Sequence, residues 1–217
     1  MGPLSSLKIA TKLWVFIVLV LALLTTIAGV GLVRSAGILA EGRARQDVAL
    51  QLVNVTTQWN GLTETNAVRN QAIILSGEPG VAASFKDAVT ATSDQITVLQ
   101  KQLESLPITD ADRTQLAKIA DFRKPVIELR DKARKARGDG NVDEALKIMN
   151  TQYLPALGLY IASQKELVKM QEQRVVDVQA ETESRRQSNS VGIVVGLVIV
   201  FILITVGTSG LVRSLRV

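Results

Sequence analysis

Two uncharged apolar runs, 13–33 and 191–212, constrain this chain more than any other feature in it. As helices they rise roughly 30 Å and 33 Å at 1.5 Å per residue, enough to cross the hydrocarbon core of a bilayer. Both are read as transmembrane helices, and an even number of spans places the two ends of the chain on one side of the membrane. The stretch between them, 34–190, has the length of one ordinary domain. The second span, followed by Arg213 and Arg216, is expected to carry outward whatever that middle domain registers.

The formal charge of +5 invites a nucleic-acid reading until the charge is located. Lys8, Lys12, Arg213 and Arg216 flank the spans and hold nearly all of the surplus, so the middle domain is close to neutral. Basic short tails and a translocated middle follow the positive-inside pattern. The tails 1–12 and 213–217 are therefore expected in the cytoplasm and 34–190 outside it. Arg34, Arg185 and Arg186 on the far side weaken that pattern without reversing it. The first run is longer than the apolar part of a cleaved signal peptide and lacks a convincing cleavage site. Cysteine and histidine are absent, which removes disulfides, thiolate or imidazole metal sites and the usual nucleophiles and bases. No nucleotide-binding or hydrolase motif stands in their place. Aromatic residues at 4% argue against a base-stacking surface. The expectation is a membrane-tethered helical binding module with no catalytic residues, metal, cofactor or nucleic acid.

Within 34–190 the apolar spacing describes four helices. The first continues out of the membrane to Ser76 and stops at Gly77-Glu78-Pro79-Gly80. Its main stripe is Val48, Leu52, Val55, Trp59, Leu62, Asn66, Arg69 and Ile73, in steps of four and three. A neighbouring stripe, Ala49, Val53, Thr56, Asn60, Thr63, Ala67, Asn70 and Ile74, is smaller and more polar and suits a second contact with a partner subunit. A second helix over about 81–105 turns Phe85, Ala88, Val89, Thr92, Ile96, Leu99 and Leu103 to one face. Thr109 offers an N-cap to a third, with Asp110 and Asp112 in its first turn and Leu116, Ile119, Val126 and Ala133 inward. Pro125 is expected to kink it. A turn at residues 137–141 leads to a fourth helix, which only Pro155 and Gly158 bend before the membrane. Short links between amphipathic helices give an all-α, antiparallel up-down four-helix bundle standing on two transmembrane helices. Thr25 and Gly29, and Gly192 and Gly196, have the four-residue spacing of close helix packing in membranes, a pattern also common in spans at large.

This order of parts, ending in Leu211-Val212-Arg213-Ser214-Leu215-Arg216-Val217, resembles the sensory half of a bacterial methyl-accepting chemotaxis protein with a four-helix-bundle ligand-binding domain. Arg-Ser-Leu after a second span looks like the start of a HAMP domain. The resemblance implies a homodimer in the inner membrane, a periplasmic site for a small solute, and a small displacement of the fourth helix toward the cytoplasm on binding. A HAMP and kinase-control module would lie downstream. Sensor histidine kinases and cyclases carry the same front half, and a purely structural bundle is the rival from another class.

Arg69 lies seven residues, roughly 10 Å, below the top of the first helix. The same depth falls near Ala88–Thr92, Arg130 and Asn150–Tyr153. Asn66, Arg69, Asn70, Thr92, Arg130, Asn150 and Tyr153 are thus the candidate ligand-binding residues. Guanidiniums, amides, a hydroxyl and a phenol at one height suit a carboxylate. The plain alternative is that Arg69 extends its charge to water and Asn66 sets helix register. Aspartate receptors of the resembled type grip their ligand with two first-helix arginines nine residues apart. Nine from Arg69 stand Asn60 and Glu78, so the resemblance extends to an organic or amino acid in general rather than to aspartate.

Overall fold

The computed structural model describes residues Ile9–Leu215; residues 1–8, with Lys8, and 216–217, with Arg216, lie outside them. Every described element is helical: α1 (Ile9–Ser76), α2 (Pro79–Ser105), α3 (Asp110–Gly138), α4 (Val142–Ile148), a π-helical turn (Met149–Tyr153) and α5 (Leu154–Leu215). The chain divides into two compact units, one formed by Arg45–Asp177 and one by the described parts of Met1–Ala44 and Val178–Val217.

In the first unit the expected four-helix bundle is present. Leu52, Val55 and Trp59 of α1, Ile96 and Leu103 of α2, and Ile119, Val126 and Ala133 of α3 are buried with Tyr153, Leu157, Tyr160 and Leu167. Each large side chain among them stabilises the fold by about 1.5–3 kcal/mol through burial. The second stripe of α1 does not wait for a partner subunit. Ala49, Thr56, Thr63, Ala67, Asn70 and Ile74 are all buried within the chain itself. Small side chains bring α5 close enough for Gln164 Nε2 to donate to Thr63 Oγ1 at 3.2 Å. α1 therefore buries one broad face inside its own subunit.

The links are built by residues suited to them. Gly77 adopts φ +62°, the left-handed conformation that ends a helix and that costs other residues about 1–2 kcal/mol. Pro79 opens α2, where its missing N–H would have had no partner anyway. Arg137, at the end of α3, donates to the exposed carbonyls of Leu75 and Ser76 at 3.3 and 3.0 Å. Its guanidinium occupies the space that a Cβ on Gly77 would need. Thr109 and Asp112 form the capping box of α3, each side chain bonding the other's backbone N–H. α3 passes through Pro125 as one helix.

The fourth helix differs from expectation. Instead of one rod from Val142, it contains a π turn at Met149–Tyr153, closed where the N–H of Leu154 donates to the carbonyl of Met149. Pro155 explains the position: it has no N–H to donate, and its ring crowds the carbonyl four residues back. Widening the preceding turn relieves that crowding.

α3 and α5 are joined by a buried polar seam. Asp112, 1% exposed, accepts from Arg174 at 2.5 Å and from Gln171 at 2.7 Å. Gln115 donates to the Ser163 carbonyl at 2.7 Å. Burial pushes the Asp112 carboxyl up, but Arg174, the Thr109 amide, Gln171 and the Thr109 hydroxyl outweigh it and hold the group below the usual aspartate range.

In the second unit, glycines admit neighbouring side chains. A Cβ on Gly31 would stand 2.6 Å from Ile193, and one on Gly42 2.6 Å from Thr182. Ile27 rests over Gly196, whereas Gly29 and Gly192 face open space. Most large apolar side chains of both runs point outward, Val18, Leu19, Val33, Val194 and Phe201 among them. The most apolar windows have mean hydropathies of 2.7 and 2.8, and outward apolar faces are what lipid contact requires.

Two outcomes follow from these contacts. Gly77→Ala is expected to lower the unfolding free energy of the detergent-solubilised chain by about 1–2 kcal/mol; an unchanged melting midpoint would contradict the strain at this turn. Because the Asp112 pKa is depressed on folding, its contribution is present above the unfolded aspartate value of about 4 and is lost as pH falls through the lower folded value. Asp112→Asn should cost about 3–5 kcal/mol at neutral pH and flatten the loss of stability with acid, followed by circular dichroism melts from neutral pH downward.

Candidate functional site

A cavity of about 90 Å³ lies inside the bundle, between the α1–α2 pair and the α3–α5 pair. Four of the residues expected from the sequence line it: Asn66 and Asn70 of α1, Arg130 of α3 and Tyr153 of the π turn. The other three do not. Arg69 reaches across to α2, donating to the Ala88 carbonyl at 3.2 Å and to Thr92 Oγ1 at 2.6 Å. The Thr92 hydroxyl in turn donates to the Ala88 carbonyl at 2.7 Å. This pair ties α1 to α2 beside the cavity. Asn150 is exposed on the π turn, away from the lining.

Thr63, Ser93, Arg123 and Tyr160 complete the polar part of the wall. The sequence carried a signal for two of them. Arg123 stands seven residues before Arg130 and Tyr160 seven after Tyr153, two helical turns along the same faces. Tyr160 and Gln164 fall on the inward stripe of α5, yet nothing in that stripe alone separates a cavity wall from packed core.

The amides of the wall have fixed orientations. Ser93 Oγ donates to the Val89 carbonyl at 2.8 Å, so it accepts from Asn66 Nδ2 at 3.1 Å. Asn70 Nδ2 donates to the Asn66 carbonyl at 2.7 Å. Gln164 Nε2 donates to Thr63 Oγ1 and to Tyr160 Oη, both at 3.2 Å. The two amide oxygens of the wall, Asn66 Oδ1 and Asn70 Oδ1, are left buried with no hydrogen-bond partner among the described residues, as is Gln164 Oε1 behind the lining residues Thr63 and Tyr160. Each such acceptor costs about 1–3 kcal/mol unless a guest or water donates to it.

The cations complement them. Arg130 is paired with its neighbour Asp131 at 2.8 Å; Arg123 has no carboxylate partner among the described residues. Burial raises the phenol pKa of Tyr153 against the opposing charges of Arg130 and Arg134. Burial likewise raises that of Tyr160 against Arg123. Both phenols are therefore neutral at physiological pH and can donate. The wall offers cationic and phenolic donors on the α3 and α5 side and bare amide acceptors on α1. Arg123 also lines an outer groove of about 370 Å³ between α2 and α3, with Trp59, Leu103 and Ile119 at its base and Gln100, Glu104 and Lys124 in its walls. The same guanidinium thus borders the interior and a path to the surface.

Comparison with known proteins places this arrangement in context. Residues 6–185 match a family model described as a four helix bundle sensory module for signal transduction. No curated protein matches the chain. The matched stretch contains the whole bundle and every residue of the cavity.

Proposed function

The chain belongs to the four-helix-bundle sensory modules of the methyl-accepting chemotaxis type, and from that premise we propose that it senses a small carboxylate solute within the bundle of a single subunit. The observation that carries this reading is Arg123, a guanidinium without an ionic partner, facing a cavity shared with Arg130 and two neutral phenols. A carboxylate accepts two parallel bonds from such a fork. The cavity has room for several waters or for a solute of roughly half a dozen heavy atoms.

The unpartnered oxygens of Asn66 and Asn70 on the cavity wall narrow the class. A plain organic acid brings acceptors and leaves them unsatisfied. An amino acid brings an ammonium that donates to them while its carboxylate engages Arg123. A small amino acid is accordingly favoured over malate or citrate, which are also large for this space.

In this reading 34–190 is periplasmic, the basic tails are cytoplasmic, and the receptor works as a homodimer coupled to a downstream HAMP and kinase-control module. Binding acts on α5 through Tyr153, Leu157 and Tyr160, which face the ligand. A ligand that prefers one of two α5 positions shifts the population toward it, and the second span carries that displacement across the membrane.

The test is titration calorimetry of the full chain in nanodiscs with glycine, alanine, serine, acetate and malate. One of the amino acids is expected to bind, and Arg123→Ala to weaken it about 10- to 100-fold, the worth of a charge-assisted bond. Arg69→Ala, which removes only the ties to Thr92 and the Ala88 carbonyl, should lower affinity far less. If Arg123→Ala leaves every measured affinity unchanged, the carboxylate site is wrong.

A further inference from the structure

Arg34 and Arg185, two of the three arginines that run against the charge asymmetry of the chain, come together. They line a pocket of about 360 Å³ with Ile38, Ser184, Ser188 and Asn189. Its height in the membrane follows from the sequence. Arg34 comes directly after the first apolar run, and Asn189 and Arg185 stand two and six residues before Val191. At 1.5 Å per residue the pocket spans roughly the first 10 Å beyond the hydrocarbon edge, beginning in the layer of the phospholipid headgroups.

Its parts have the chemistry of an anion site. Arg185 is held in place by Glu41 at 3.3 Å and Glu181 at 2.6 Å, so its fork is ordered before any guest arrives. Asn189 Nδ2 donates to the Gly31 carbonyl at 3.2 Å, fixing the two helices side by side at the pocket floor. Arg34 is exposed and has no acidic partner among the described residues. It supplies the charge that is not already neutralised. Two hydroxyls, Ser184 and Ser188, stand beside it as further donors.

We propose that this pocket binds the headgroup of an anionic phospholipid from the leaflet that borders it, the phosphate on Arg34 and the headgroup hydroxyls on Ser184 and Ser188, with Arg185, held by Glu41 and Glu181, as an ordered wall. Lipid chains leave such a site along the outward apolar faces of the two spans, where Val33 and Val191 are exposed. A choline headgroup brings a cation without N–H or O–H donors toward Arg34 and fits less well; phosphatidylglycerol brings hydroxyls and no cation. Arg34, one of the three arginines that run against the charge pattern, then acts as a lipid ligand, and the site is separate from the bundle cavity.

The full chain is reconstituted in nanodiscs of phosphatidylcholine and phosphatidylglycerol, and the lipid retained on release is counted by native mass spectrometry. Preferential retention of phosphatidylglycerol by about five-fold or more is expected, the effect of one basic residue at an anionic surface. Arg34→Gln and Ser188→Leu, one removing the charge and the other filling the pocket, should each abolish most of that preference, while Arg34→Lys keeps most of it. About 20 mM inorganic phosphate at constant ionic strength should leave it unaltered. Equal retention of the two lipids, or variants indistinguishable from the parent chain, would overturn the proposal. Displacement of the lipid by free phosphate would overturn it too, since the pocket would then serve soluble anions.

Discussion

In hydrocarbon no water is available to a bare amide, and each backbone polar group left unpaired costs several kcal/mol. Helices satisfy that demand within a single segment, and so the two apolar runs dictate the form of everything attached to them. α1 and α5 begin as membrane-compatible helices and continue without a break into the sensory bundle, α1 to Ser76 and α5 back to Leu154. The remaining helices, α2 and α3, are shorter because they pack only within the bundle. Glycines at 31, 42 and 196 let the spans and their extensions approach, which replaces the hydrophobic driving force that lipid does not provide between apolar helices.

Within the bundle the unusual feature is how much polarity is buried. Two kinds of burial coexist. Along the α3–α5 seam, Asp112 accepts from Arg174 and Gln171 while Gln115 donates to the Ser163 carbonyl, and these bonds fix register. Around the cavity, Asn66 and Asn70 use amide hydrogens on the protein and hold their oxygens bare. A fully satisfied network specifies a structure, whereas a half-satisfied one is held at a cost in stability. Gln171 of the seam also keeps its oxygen bare, so unpaired amide oxygens are not confined to the cavity wall.

Much of this was legible in the residues. Steps of three and four gave the core stripe of α1, and Thr109 with Asp112 gave the start of α3. Periodicity reports that a face is covered, not what covers it. The small polar stripe of α1 could as well have met a second subunit, and it is α5 of the same chain that closes over Thr63. Counting depth along straight helices brought Asn66, Asn70, Arg130 and Tyr153 to one cavity, but depth does not say which way a side chain faces, and Asn150 is exposed on the π turn. Arg69 was placed at the right height and beside the right residues of α2, yet its bonds go to Thr92 and Ala88 and not inward.

A π turn is an extra residue accommodated without a change in the overall path of a helix. One residue corresponds to about 100° of rotation in an α-helix, so the residues of α4 and those of α5 are out of phase by that amount relative to an uninterrupted helix. The face that α4 turns to α3, marked by Ala145 and Ile148, is thereby set independently of the face that α5 turns to α1 through Tyr160, Gln164 and Leu167. A single helix can in this way serve two neighbours whose directions do not differ by a whole number of ordinary turns, and a sequence that gained or lost one residue here would rotate one half of the rod against the other.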